Sequence, residues 1–119
     1  MLTKNLPITR DTKILRNLTI DTTANFSKRF KYTVGDRMIN VVLDLNKCIR
    51  RANEEEDNVR RLYYIKELRY LIEDFEDLLD TCLEHKVVSV KQVAGIAEVL
   101  DSIGKQSTGW MNYTKKNIK

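Results

Sequence analysis

The stretch "IKELRYLIEDFEDLLDTC", residues 65–82, places Ile65, Leu68, Ile72, Phe75, Leu79 and Cys82 at successive spacings of 3, 4, 3, 4 and 3. This is the apolar seam of a helix that faces partner helices, and the spacing is incompatible with the period of two of a half-buried strand. Leu71 and Leu78 widen the seam, while Glu73, Asp74, Glu76 and Asp77 form an acidic face that pairs most simply with Lys66 and Arg69. Glu54-Glu55-Glu56-Asp57 precedes the seam and supplies negative charge where a helix start favours it. The spacing predicts a helix over 57–84.

Working outward, three more stretches carry helical periodicity. Residues 34–53 place Met38, Val41, Val42, Leu45, Ile49 and Ala52 on one stripe, with Arg37, Asn40, Asp44, Lys47 and Arg51 on another. Thr33-Val34-Gly35-Asp36 resembles a capping box and is expected to start that helix at a turn around Gly35. Residues 90–115 follow Ser89-Val90-Lys91-Gln92, which fits the S-x-x-Q form of the box outright. The weakest stretch, 11–30, offers Ile14, Leu15, Leu18, Thr22 and Phe26. Short linkers make consecutive helices antiparallel, so the expectation is all-α: one domain over 1–119, an up-down-up-down four-helix bundle.

Composition narrows the function classes. With 42% hydrophobic and 32% charged residues the chain is too apolar for disorder. No apolar run approaches the roughly 18 residues of a membrane span, and "MLTKNLPITR" lacks an apolar signal core, so a soluble, cytoplasmic protein with no membrane partner is expected. Cys48 and Cys82 read as reduced packing residues. Residues 1–51 hold 11 Lys/Arg against 4 Asp/Glu, 52–101 hold 6 against 13, and 102–119 hold 4 against none. A basic-acidic-basic chain fits a nucleic-acid-facing side, and it fits equally a pairing of basic with acidic helices within or between subunits.

Signals for catalysis are scarce. The glycines are scattered, giving no phosphate loop, and Cys82 with His85 lacks further ligands at a recognised metal spacing. The expectation is a non-enzyme with no metal and no cofactor. The basic-aromatic run "FSKRFKY", residues 26–32, is more informative: Lys28, Arg29 and Lys31 lie near Arg37, where they can neutralise phosphates, and Tyr32 can stack on a base. Phe26 and Phe30 read as plugs of the helix packing. Arg50, Arg51, Arg60 and Arg61 make a second basic cluster interrupted by acids, and Lys115, Lys116 and Lys119 a basic tail.

The order of Leu6-Pro7, "FSKRFKYTVGDRM" (26–38), "IRRAN" (49–53), "LRYL" (68–71) and "IGKQSTGW" (103–110) resembles the accessory variability determinant proteins of diversity-generating retroelements. These sit among the four-helix-bundle proteins encoded in intervening sequences of bacterial large-subunit ribosomal RNA genes. The resemblance spans residues 6–113. It implies a non-enzymatic homo-oligomer, a pentamer, that binds nucleic acid (RNA, DNA or a hybrid) through a basic surface and associates with a reverse transcriptase. Carried onto this chain, the basic positions are Lys28, Arg29, Lys31, Arg37, Arg50 and Arg51, which would hold phosphates instead of reading bases. Where the family continues with basic residues after "LRYL", this chain has "IEDFEDLLD" (72–80). The other class of function is a structural or protein-interaction oligomer without strong nucleic-acid binding.

The last helix carries Val93, Ala97, Leu100, Gly104, Ser107 and Met111 on one face and Ile96, Ile103 and Trp110 on a neighbouring one. Two apolar faces imply two partners. Gly104 is expected to let a neighbouring helix approach, and Ile96, Ile103, Gly109 and Trp110 to form an oligomer interface.

Overall fold

The computed structural model describes residues 6–118, and the regular structure among them is entirely helical. Helix α1 spans Pro7–Thr23, a single turn α2 Lys28–Phe30, α3 Asp36–Glu54, α4 Asn58–Glu84 and α5 Val90–Lys116. Lys31–Gly35 forms a π-helical turn, so that α2 leads into α3 without leaving helical backbone. Helix α1 packs against α3 and α5, and α4 packs against the same two, giving a rod with extents of 50 × 21 × 19 Å. Among the described residues no helix is long and apolar enough to cross a membrane.

The start of α5 follows the expected capping box, and at α4 one of the expected acids, Asp57, acts as the cap itself. Asp57 accepts from the Arg60 amide at 3.0 Å to open α4. At α5 the Ser89 hydroxyl accepts from the Gln92 amide at 3.1 Å, while the Gln92 side chain accepts from the Ser89 amide at 2.9 Å. Helix α4 stops where Lys86 takes a left-handed φ of 58° and the Val87 amide donates back to the Cys82 carbonyl at 2.9 Å.

The expected break at 33–36 is not there. Thr33 donates its hydroxyl to the Arg29 carbonyl at 2.7 Å, a bond to the preceding turn, instead of accepting from the Asp36 amide. The expected 11–30 helix ends at Thr23, and its start moves back to Pro7, whose missing N–H costs nothing in a first turn. Gly35 is a buried helical residue and not a turn: a Cβ there would meet the Phe30 carbonyl at 3.3 Å and Thr23 Cβ at 3.4 Å. Its bare backbone lets the end of α1 close on the π turn.

All six seam residues of α4 are buried, as are Met38, Val41, Val42, Leu45, Ile49 and Ala52 of α3. On α1 the inward face is Ile8, Thr12, Leu15, Thr19 and Thr23, and Ile14, expected inside, is 43% exposed. The earlier start explains the rotation, because Ile8 and Leu15 together fix which side meets the core. Thr12 and Thr19 satisfy their hydroxyls on the Ile8 and Leu15 carbonyls, both at 2.7 Å, whereas the Thr9 hydroxyl is buried without a partner among the described residues. On α5 the buried line is Ile96, Leu100, Ile103, Ser107 and Thr114.

Candidate nucleic-acid interface

Helix α2, the π turn and the first turn of α3 present Lys28, Arg29, Lys31 and Arg37 at one end of the rod. Phe26 is buried and Phe30 packs on the core with its ring 5.6 Å from that of His85, so the apolar residues of the run anchor this end while the cations turn outward. The Arg29 guanidinium lies 5.4 Å from the Phe30 ring centre and the Lys31 ammonium 5.8 Å from that of Tyr32. Tyr32 is 61% exposed. Among the described residues none of the four cations lies in an ion pair. Four cations outside any ion pair, with Asp36 the one carboxylate in the same helical stretch, beside an exposed aromatic face can hold a phosphate backbone and stack a base.

Arg50 and Arg51 do not join this cluster. They are exposed near the far end of α3, about 20 Å along the helix from Arg37 at 1.5 Å per residue. Their end also carries exposed Glu54, Glu56 and Asp57. Arg61 is withdrawn from the surface: it donates to the Ala52 carbonyl at 3.0 Å, to the Glu55 carbonyl and to the Asn58 side chain, clamping the α3–α4 linker. Lys115 and Lys116 lie in the last turn of α5, and Lys119 falls outside the described residues.

The expected oligomer residues divide. Ile96 and Ile103 are 2% and 0% exposed and belong to the core, so they offer nothing to a second subunit; the α5 stripe is rotated relative to the expectation, with Ala97 exposed in their place. Trp110 is half-buried, packs on the core and lines a small pocket of about 190 Å³ with Leu6, Pro7, Ile8, Asn53 and Gln106. It closes the end of the rod where α1 begins. Gly109 is exposed, and a Cβ there meets nothing within 4 Å.

Gly104 also has open space around it, with no atom within 4 Å of an added Cβ, so no helix presses on it. It lines a groove of about 740 Å³ between α4 and α5, floored by Ile72, Leu79, Val93, Ala97 and Leu100. Glu73, Glu76, Asp80 and Asp101 border it. Asp101 pairs with Lys105 at 3.1 Å, whereas the other three carboxylates are in no ion pair among the described residues. Arg69 crosses one end of the groove, donating to Ser107 at 3.1 Å and Thr108 at 2.5 Å. The short side chains of Val93, Ala97 and Gly104 at helical spacing were the sequence signal for this groove. Periodicity alone assigns them to a packed face, because it cannot distinguish a face that meets a helix from one left open.

Neither thiol is poised for nucleophilic chemistry. Burial pushes the Cys48 thiol pKa up, with Glu67 and Asp44 adding and Arg51 opposing, and burial alone raises that of Cys82. Cys82 is buried with its thiol 3.7 Å from the Met38 sulfur, whereas His85 is exposed. Compared with known proteins, the chain matches no family model and no curated protein.

Proposed function

We propose that the protein is a non-enzymatic, oligomeric accessory subunit that holds nucleic acid by its phosphates at the α2–α3 end. The observation that carries this reading is the quartet Lys28, Arg29, Lys31 and Arg37, outward-facing, outside any ion pair among the described residues and next to exposed Tyr32. If all four engage phosphates, the logarithm of the binding constant falls with the logarithm of salt with a slope of about −3. Fluorescence anisotropy with single-stranded and duplex RNA and DNA over a salt series tests it. Replacing Lys28, Arg29 and Lys31 together by glutamate should abolish the salt-dependent binding, and absent or salt-insensitive binding by the unaltered protein overturns the reading.

The resemblance to accessory variability determinants extends the same proposal to a cytoplasmic pentamer assisting a reverse transcriptase, with the helices arranged up-down-up-down. Two contacts favour that arrangement: Asn58 at the start of α4 donates to the Asn117 carbonyl beyond the end of α5 at 3.1 Å, and Asp11 early in α1 accepts from Gln106 late in α5 at 2.7 Å. A reverse-transcriptase gene beside the one encoding this chain would support the retroelement assignment, and its absence from every copy of the locus would remove it. A second reading, a protein-interaction oligomer without strong nucleic-acid binding, is favoured by the acidic α4–α5 groove, which repels phosphates.

A further inference from the structure

The α4–α5 groove has an opposite number on the same rod. Because α1 packs on α3 and α5 and α4 packs on the same two, the α1–α3 side lies across the rod from the groove. At about 100° per residue, Lys13, Arg16 and Ile20 sit on the flank of α1 that carries Thr23, the residue set against Gly35. Ile39, Leu43 and Arg50 sit on the flank that carries Gly35. The face therefore combines three cations with three aliphatic side chains, of which Ile20 and Leu43 are each 43% exposed. Among the described residues Lys13, Arg16 and Arg50 are in no ion pair.

We infer that the α4–α5 groove of one copy receives the α1–α3 face of a second copy, head to tail. The inference rests on the oligomeric part of the proposed function. Charge complementarity carries it: among the described residues Glu73, Glu76 and Asp80 lie outside any ion pair on one side of the rod, and Lys13, Arg16 and Arg50 do so on the other, Arg16 bonding only the neutral Asn17 side chain at 3.4 Å. The lengths agree as well, since Arg69 to Asp80 on α4 and Ile39 to Arg50 on α3 each cover about 17 Å. Ala97 and Gly104 add little side-chain bulk to the groove, and a Cβ at Gly104 meets nothing within 4 Å, which suits the entry of aliphatic side chains such as Ile20 and Leu43. Two different faces meet, so each added subunit presents a fresh groove, and the assembly closes as a ring or continues as a filament. Arg50 on this account serves assembly and not the nucleic-acid end.

Light scattering on the full chain tests this with two blocking variants. Gly104→Trp fills the groove at a position where new atoms meet open space, and Ile20→Glu places a carboxylate on an exposed site of the opposite face. Each alone should reduce the mass from an oligomer to the 14.0 kDa chain, with helical circular dichroism unchanged. Mixing them should restore a one-to-one dimer and nothing larger, because one variant keeps the groove and the other keeps the face. A monomeric unaltered protein, full-sized assembly by either variant, or a mixture that stays monomeric overturns the inference. Nucleic-acid binding is read separately: assembly without binding removes the phosphate reading and leaves this interface, and a monomer that binds does the reverse.

Discussion

Helices α4 and α1 pack against the same two neighbours, yet they line the core with different chemistry. Ile65, Leu68 and Phe75 of α4 are wholly buried aliphatic and aromatic groups. The inward face of α1 buries Ile8 and Leu15, with Leu18 packed partly against the core, and fills the rest with Thr9, Thr12, Thr19 and Thr23. A threonine is admissible there because its hydroxyl can bond a carbonyl one turn back, leaving only its methyl to the core. One helix supplies apolar volume, and the other supplies a slim wall.

The largest break in that comparison comes from the seam. Phe75→Ala should lower stability by about 3–5 kcal/mol in a urea titration, as expected for a large side chain removed from a packed interior; a loss below about 1 kcal/mol would mean that the seam is not central. On the slim wall the sign reverses. Thr9→Val removes a buried hydroxyl with no partner and should gain about 1 kcal/mol, more than Thr12→Val, whose hydroxyl is already bonded. Equal effects of the two would show that Thr9 is as well satisfied as Thr12.

The helix ends sharpen the contrast further. Lys86, at φ 58°, holds a conformation that glycine adopts without strain, so Lys86→Gly should stabilise by about 0.5–1 kcal/mol. Ala24 ends α1 at φ −58°, and Ala24→Gly should destabilise by a similar amount, about 0.5–1 kcal/mol. Thermal melts of the pair check both signs. The smallest effect is kinetic: because burial raises both thiols, fewer thiolates exist at a given pH, so Cys82 and Cys48 should react with a thiol reagent more slowly than free cysteine and speed up as pH rises. Cys48, half-buried, should react first, and rapid labelling of Cys82 would show that the α4 face opens.

The seam of α4 and the stripe of α3 were legible because large apolar side chains at helical spacing have one reasonable use. The capping box at Ser89 was legible because it is local chemistry, whereas of Asp57 only the favourable charge at a helix start could be read, not its role as the cap. The start, end and inward face of α1 do not follow from periodicity, since threonine is a poor core residue until its hydroxyl has a carbonyl. The Thr33 motif failed for the same reason: the same hydroxyl can open a helix or bond within one, and only the preceding backbone decides. Of the candidate site, Lys28, Arg29, Lys31 and Arg37 fall together because they are close in sequence, whereas Arg50 and Arg51 are carried away by the length of α3. The opposed charge of the α1–α3 and α4–α5 sides could not be read along the chain, although the basic-acidic asymmetry that creates it was visible there.

That the chain is helical, where α4 and α5 begin, which side chains of α3 and α4 are buried, and that charge is segregated along it all follow from the order of residues, because each depends on neighbours within a few turns. The packing of the helices on one another is what puts Ile96 and Ile103 in the core, leaves Gly104 beside open space, sets Trp110 at one end and places the acidic groove across the rod from the α1–α3 side. A helix has several sides, and which of them stays open depends on where the other helices pack.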